Sequence, residues 1–79
     1  MSNVHQDVAQ WMLDEILKHG ELLQRDAVQE IENIFGSAFV YANENGRPAI
    51  DKEVLKEFNK LKPDTVAWDK GRRCWRHEA

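Results

Sequence analysis

Residues 65–79 read TVAWDKGRRCWRHEA, and this stretch decides the fold that the sequence predicts. Two strand-like runs, at 65–68 and 72–76, flank the tripeptide DKG at 69–71. Gly71 can adopt the positive φ that a three- or four-residue hairpin loop requires. The sequence therefore predicts a C-terminal β-hairpin that carries two tryptophans and several basic side chains.

The register of this hairpin sets the face on which each tryptophan lies. If Trp68 pairs with Arg73, Trp68 and Trp75 share one face, which packs on the helices and completes the core. If Trp68 pairs with Arg72, Trp75 lies on the opposite face, and one tryptophan must be exposed or covered by a partner. Trp68 and Trp75 are therefore candidate interface residues, because Trp is enriched at binding hot spots.

Two helices are predicted in the first half of the chain. Apolar residues recur at helical spacing over residues 4–17, and Gly20 ends this helix. Asp26 is predicted as the N-cap of the second helix, because Gln29 stands three residues later as in a capping box. Gly36 is predicted as the C-terminal stop of that helix.

The links between the helices are predicted to contain short strands. GELLQR at 20–25 has enough apolar residues for a short strand or an extended link. In SAFVYANENGRPAI at 37–50, the run FVY favours extended structure, and Asn45-Gly46 suits a tight type I′ turn because both residues tolerate positive φ. We interpret this second link as a small hairpin or structured turn.

A third helix is predicted to begin at Asp51, with Ile50 and Leu55 placed as a hydrophobic staple, and to end before Pro63. The order of elements is then helix, short strand, helix, turn, helix, strand, strand. That is the order of a winged helix, in which the second and third helices form the helix-turn-helix and the final hairpin is the wing. The predicted fold is α+β and winged-helix-like, with one domain over residues 1–79.

Composition limits the classes of function. The chain has 79 residues, of which 42% are hydrophobic and 32% charged, which is typical of one soluble globular domain. Its apolar runs are far shorter than the roughly 18 residues of a membrane span, and no basic segment precedes an apolar one at the N-terminus. The single cysteine suits a reducing compartment. We therefore expect a cytoplasmic protein with no membrane partner.

The net charge of −3 is unevenly distributed along the chain. Residues 1–40 carry two basic and seven acidic side chains, whereas residues 41–79 carry nine basic and seven acidic ones. The first half is thus −5 and the second half +2. An anionic partner is expected at the C-terminal half.

The first functional hypothesis is binding of duplex DNA. The third helix would enter the major groove, where an asparagine can read adenine and lysines hold phosphates. The basic residues of the wing would contact the backbone or the minor groove, and Arg47 is placed to join them from the preceding turn. The candidate nucleic-acid-binding residues are Lys52, Lys56, Asn59, Lys60, Lys70, Arg72 and Arg73.

A competing interpretation needs no nucleic acid. Glu53 and Glu57 stand three residues before Lys56 and Lys60, so the lysine stripe also fits a solvated helix with ordinary intrahelical ion pairs. The negative net charge disfavours non-specific affinity for phosphates. The alternative function is a protein–protein interaction module or a homodimer that uses the exposed tryptophan.

No catalytic site, metal site or cofactor is predicted. Cys74 and His77 are three residues apart in a predicted strand, so their side chains point to opposite faces and do not form a nucleophile and base pair. The three histidines and the cysteine lack the spacing of zinc ligands. We therefore predict a binding protein and not an enzyme, with no small-molecule substrate.

Four segments together resemble a known family: GELLQRDAV, FVYANENGRPAI, DKEVLKEFNKL and VAWDKGRRCWR. They are similar to a family of small, uncharacterised bacterial proteins with a winged-helix-like architecture, catalogued as a domain of unknown function. The resemblance covers nearly the whole chain and implies the winged-helix-like fold. It implies no catalytic or binding residue. The link before the third helix is longer than the compact turn of a typical helix-turn-helix.

Overall fold

The computed structural model describes residues 4–78, which contain three helices, five short strands and one 3-10 turn. Residues 1–3 and 79, which the predicted domain includes, lie outside the described residues. The elements in chain order are α1 (Val4–His19), β1 (Glu21–Leu23), α2 (Gln24–Ile34), the 3-10 turn (Ser37–Phe39), β2 (Val40–Ala42), β3 (Pro48–Ile50), α3 (Lys52–Leu61), β4 (Val66–Asp69) and β5 (Cys74–His77). The α+β class and the C-terminal hairpin are confirmed.

The strands form two separate antiparallel sheets. The larger sheet has the order β1-β5-β4, so the strand after α1 pairs with the last strand of the chain. β2 and β3 form a hairpin of their own between α2 and α3. Both links between helices therefore hold the strands that the sequence predicts. The winged-helix assignment stays a prediction, because a hairpin and not a short turn separates α2 from α3.

One hydrophobic cluster draws side chains from all three helices and from both sheets. α3 packs along α1, and its Phe58 is completely buried. The ring of Phe58 meets the ring of Trp75 from β5 edge to face, with 5.5 Å between centroids. Burying an aromatic or aliphatic side chain of this size stabilises the fold by about 1.5–3 kcal/mol. Trp75 is therefore a core residue, and it attaches the sheet to the helices.

Three helix ends lie where the sequence predicts them. Gly20 follows α1 with a φ of 85°, and its N–H donates to the carbonyl of Ile16 at 2.7 Å. Gly36 follows the end of α2 with a φ of 108°. At the start of α3, Oδ1 of Asp51 accepts the backbone N–H of Glu53 at 3.0 Å. The Asp51 N-cap and the two glycine stops are confirmed.

The predicted N-cap at Asp26 is wrong. α2 begins three residues earlier than an N-cap at Asp26 requires, at Gln24, with Leu23 in the cap position and no side-chain hydrogen bond to cap the helix. The backbone N–H of Gln24 instead donates to the carbonyl of Arg73 at 2.9 Å. A capping box is a local pattern, and here a contact with the distant β4–β5 loop satisfies the helix N-terminus in its place.

The turn between β2 and β3 also differs from the prediction. Gly46 is the only residue of this turn with a positive φ, at 75°, whereas a type I′ turn needs two. The N–H of Gly46 donates to the carbonyl of Asn43 at 2.8 Å, and the N–H of Asn43 donates to the carbonyl of Arg47 at 2.8 Å. Oδ1 of Asn43 also accepts the N–H groups of Asn45 and Arg47. The result is a longer loop that Asn43 holds together.

The C-terminal hairpin adopts neither of the two registers considered from the sequence. Trp68 pairs directly with Trp75, and Asp69 with Cys74, so both tryptophans share one face and the loop comprises residues 70–73. The positive φ belongs to Arg73, at 53°, and not to Gly71. The prediction for Gly71 was wrong because the loop comprises residues 70–73 and not 69–71, so that Arg73 is its last residue. A left-handed conformation costs a non-glycine residue about 1–2 kcal/mol.

Replacing Asp51 and Asp26 by alanine distinguishes a residue that caps a helix from a residue that only fits the capping pattern in the sequence. We expect Asp51→Ala to lower the free energy of unfolding by about 1 kcal/mol, because the first turn of α3 loses its side-chain acceptor. Asp26→Ala should stay within about 0.5 kcal/mol of the unmodified protein, since the better helix propensity of alanine offsets a weak dipole interaction. Urea unfolding followed by circular dichroism measures both. An equal loss in the two variants would contradict the start of α2 at Gln24.

Candidate functional site

A cleft of about 900 Å³ opens where the start of α2, the β2–β3 hairpin and the β4–β5 loop meet. We call it the basic cleft, because the described residues that line it include five cationic side chains and no acidic one. The cations are Arg25, Arg47, Lys70, Arg72 and Arg73. The remaining lining residues are Leu23, Gln24, Asn43, Pro48 and Trp68. A cluster of one charge sign is thus concentrated at a concave surface of a protein whose net charge is −3.

Hydrogen bonds donated by backbone N–H groups fix the three sides of the basic cleft. The bond from the Gln24 N–H to the Arg73 carbonyl ties α2 to the β4–β5 loop. Within that loop, Oδ1 of Asp69 accepts the N–H of Arg72 at 3.1 Å. On the third side, the Asn43 side chain holds the backbone of Arg47 at 3.0 Å. The cations therefore project from a backbone whose conformation is already set.

Most of the charge in the basic cleft is not neutralised within the protein. Nη1 of Arg72 lies 3.8 Å from Oε2 of Glu21, and Nε of Arg25 lies 4.0 Å from Oδ1 of Asp26. Exposed pairs at such distances contribute about 0–1 kcal/mol and leave the cations available to a stronger anion. Among the described residues, the other three cations of the cleft form no ion pair: Arg47, Lys70 and Arg73.

Trp68 places an exposed aromatic ring in the basic cleft. Its side chain is 40% exposed, whereas Trp75 beneath it is only 6% exposed. The two ring centroids are 4.7 Å apart with an angle of 55° between the planes. Trp75 in turn contacts Phe58 in the core. A large apolar surface is therefore held in a fixed position beside several cations.

The structure divides the seven candidate nucleic-acid-binding residues into two groups. The three wing residues all line the basic cleft, together with Arg47 from the preceding hairpin. The four α3 residues, Lys52, Lys56, Asn59 and Lys60, are exposed, but none of them lines it. Nζ of Lys60 lies 3.6 Å from Oε1 of Glu57, as the ion-pair interpretation of α3 predicts. The two candidate interface residues also differ, since Trp68 is exposed and Trp75 is buried.

Sequence reasoning did not single out Arg25. In the sequence it is an isolated arginine in an acidic segment, followed directly by Asp26. It becomes part of the site because the first turn of α2 is bonded to the β4–β5 loop, which lies almost 50 residues away in the chain. No local signal reports such a contact. Leu23 and Pro48, which add apolar surface to the cleft, likewise have no local sequence signal that assigns them to the site.

Acidic side chains line a neighbouring cavity of about 520 Å³ between α1, β1 and α2. Its acidic residues are Glu15, Glu21, Asp26 and Glu30, of which Glu21 and Asp26 are the partners of Arg72 and Arg25. Within residues 4–78 no three His, Cys, Asp or Glu side chains are arranged to hold a metal ion. Cys74 is buried and forms no disulfide. None of the helices over residues 4–78 has both the length and the apolar character that crossing a membrane requires.

Comparison with known proteins gives a family but no activity. The sequence pattern of one protein family matches residues 4–77, a span that contains every helix and strand described above. The chain belongs to the family of unknown function DUF6953. A search of curated proteins found no match, and neither did a search of solved structures. Every residue of the basic cleft lies within the part that matches DUF6953, which is described only as a family of unknown function.

The charge of the basic cleft can be measured without any biological ligand. At low ionic strength, we expect the ratio of iodide to caesium quenching to be higher for Trp68 than for free N-acetyltryptophanamide, because the surrounding cations attract the anion and repel the cation. This excess should shrink at about 0.15 M salt, where the screening length falls to about 8 Å. Stern–Volmer plots measure both quenchers, and neutral acrylamide corrects for steric access to the ring.

The Trp68→Phe variant assigns the effect to this residue, since Trp11 and Trp75 remain. The excess of the iodide-to-caesium ratio over that of free N-acetyltryptophanamide should disappear in the variant. A ratio in the unmodified protein that is no higher than that of the free compound at low ionic strength would contradict a positive cleft around Trp68.

Proposed function

We propose that the protein binds nucleic acid through the basic cleft, whose cations hold phosphate groups. The observation that supports this is the convergence of five cationic side chains from three segments, with no carboxylate in the lining. Phosphate neutralisation by Lys and Arg supplies most non-specific affinity for nucleic acid. A local cluster can supply it in a protein of negative net charge, because screening limits repulsion from distant acidic groups.

In this proposal the β4–β5 hairpin acts as the wing of a winged-helix-like domain in the cytoplasm, and the protein is a binding protein and not an enzyme. Duplex DNA is one candidate ligand, with α3 in the major groove. α3 is the weaker of the two surfaces, however, because Lys60 is paired with Glu57 and Glu53 adds a further exposed carboxylate. We therefore propose the basic cleft, and not α3, as the main nucleic-acid-binding surface.

The number of cations in the basic cleft limits how steeply the proposed binding can depend on salt. A site that neutralises at most five phosphates of a duplex should lose affinity with a log–log slope no steeper than about −4.5. Affinity would then fall by at most about 500-fold between 50 and 200 mM salt. A much steeper slope would require phosphate contacts beyond the basic cleft.

Charge reversal locates the surface that binds. We expect Arg47→Glu and Lys70→Glu each to raise the Kd for labelled random-sequence DNA by about tenfold or more at low salt, because each removes a phosphate contact and adds a repelling charge. Lys56→Glu on α3 is the matched control: it makes the same change in net charge at an exposed position outside the cleft and should raise the Kd by less than about threefold. Fluorescence anisotropy on duplex and single strand, across a salt series, measures these values.

Two results would overturn this assignment. Folded, unmodified protein that binds neither duplex nor single strand at low salt would exclude nucleic-acid binding by the cleft. An equal loss of affinity in Lys56→Glu, Arg47→Glu and Lys70→Glu would move the binding surface to include α3. Circular dichroism and urea unfolding show whether each variant keeps the fold, which we expect because the replaced side chains are exposed and form no ion pair with another residue of the range 4–78.

A protein-interaction module or homodimer is the second candidate function, and the exposure of Trp68 is the observation that favours it. Trp68 lines the basic cleft together with Leu23, Pro48 and the cations, and an aromatic residue with apolar and charged neighbours in one concave surface is typical of a hot spot. If the protein self-associates through this surface, sedimentation velocity should show a dimer that Trp68→Glu converts to a monomer. A monomer at all concentrations would remove support for the homodimer.

A further inference from the structure

Trp68 gives the basic cleft an exposed aromatic ring, which phosphate binding does not require. Its ring is a large, flat and exposed surface among cationic side chains, and Trp75 holds it in place from below. Aromatic rings of this kind bind nucleic acid by stacking on a base, which is possible for every base because each has a π-face. The cleft therefore combines a phosphate-binding surface with a base-binding surface.

Only one form of nucleic acid can use both surfaces. In a duplex each base is already stacked between its neighbours and shows only its edge in the grooves. In a single strand the bases are free to turn outward and stack on an aromatic side chain. We propose that the occupant of the basic cleft is a single-stranded nucleic acid, one base of which stacks on Trp68 while the flanking phosphates lie on the cations. This rests on the proposed function and names the ligand class of the same site.

The dimensions and lining of the cleft agree with such a ligand. Its volume of about 900 Å³ lies in the range of cavities that enclose small organic ligands, so a base and its sugar can enter. A duplex, in contrast, can offer such a cleft its phosphates but not the faces of its bases. Leu23 and Pro48 supply apolar surface beside Trp68 for the sugar or for a second base. Arginine side chains can also stack on bases, and four of the five cations are arginines.

Rigidity strengthens this stacking surface. Trp68 contacts Trp75 at 4.7 Å between centroids, and Trp75 contacts the buried Phe58 at 5.5 Å. The three rings are in contact one after another, one pair tilted and the other edge to face, and they connect the core to the cleft. A ring that is ordered before the ligand arrives loses little conformational entropy on binding. Trp68 is therefore preorganised for a flat ligand, whereas an acidic peptide would use the charges of the cleft and leave the face of the ring unused.

The decisive experiment compares ligands that differ in one property at a time. The probes are a labelled random-sequence single strand of DNA, its duplex, and an abasic strand of the same length that has the same phosphates and no bases. Fluorescence anisotropy at one salt concentration gives the three Kd values. We expect the single strand to bind at least about fivefold more tightly than either the duplex or the abasic strand, since one stacked base contributes about 5- to 150-fold.

Variants of Trp68 test the ring itself. Trp68→Ala should weaken binding of the single strand by about 5- to 150-fold and change binding of the abasic strand by less than about twofold. Trp68→Phe keeps an aromatic face and should retain most of the affinity. The comparison between normal and abasic strands uses the unmodified protein, so it tests the proposal even if Trp68→Ala fails to fold.

Each contrary result identifies a different error. If normal strand, abasic strand and duplex bind equally, and Trp68→Ala weakens none of them selectively, the cleft binds phosphates alone; the proposed function then stands and the single-strand inference fails. If dTMP competes as well as the strand, the cleft is a mononucleotide site. If poly-glutamate competes equally, it is a site for acidic peptides. If folded, unmodified protein binds no nucleic acid at low salt, the proposed function fails and the inference fails with it.

Discussion

The burial of Trp75 is the interaction on which the rest of the structure depends. Trp75 lies on β5, the central strand of the sheet, and packs against Phe58 of α3. Because β5 pairs with β1 on one side and β4 on the other, fixing Trp75 also fixes both neighbours. Its direct partner on β4 is Trp68, which must then lie on the same face of the sheet, nearer to its edge and to solvent. One core contact thus determines where the exposed aromatic ring stands.

Two features of the basic cleft are unfavourable for the free energy of folding, and the fold alone does not explain why they are present. Five side chains of like charge line one concave surface there, which is unfavourable for the folded state without a bound anion. Arg73 also adopts a left-handed backbone conformation that costs a non-glycine residue about 1–2 kcal/mol. Its carbonyl accepts the first N–H of α2, which compensates part of this cost by satisfying a helix end. Departures from local rules that gather at one concave surface are typical of binding sites.

Local sequence patterns predicted the elements well and their contacts poorly. The helix stops at Gly20 and Gly36 and the cap at Asp51 were predicted correctly, because each depends on residues within one turn of the helix. The cap at Asp26 was wrong, because the start of α2 is satisfied by a carbonyl from a distant loop. The hairpin register also depends on tertiary packing, since Trp75 must reach the core whatever loop length that requires.

The sequence by itself determined the α+β class, the order of helices and strands, the family, and the excess of positive charge in the second half of the chain. Helical periodicity, capping residues and composition are local properties, so they can be recognised without a structure. Only the tertiary structure decided which cations act together. Arg25, Arg47 and Lys70 are separated by more than 20 residues from one another in the chain, and long-range contacts between α2, the β2–β3 hairpin and the β4–β5 loop place them around one cleft.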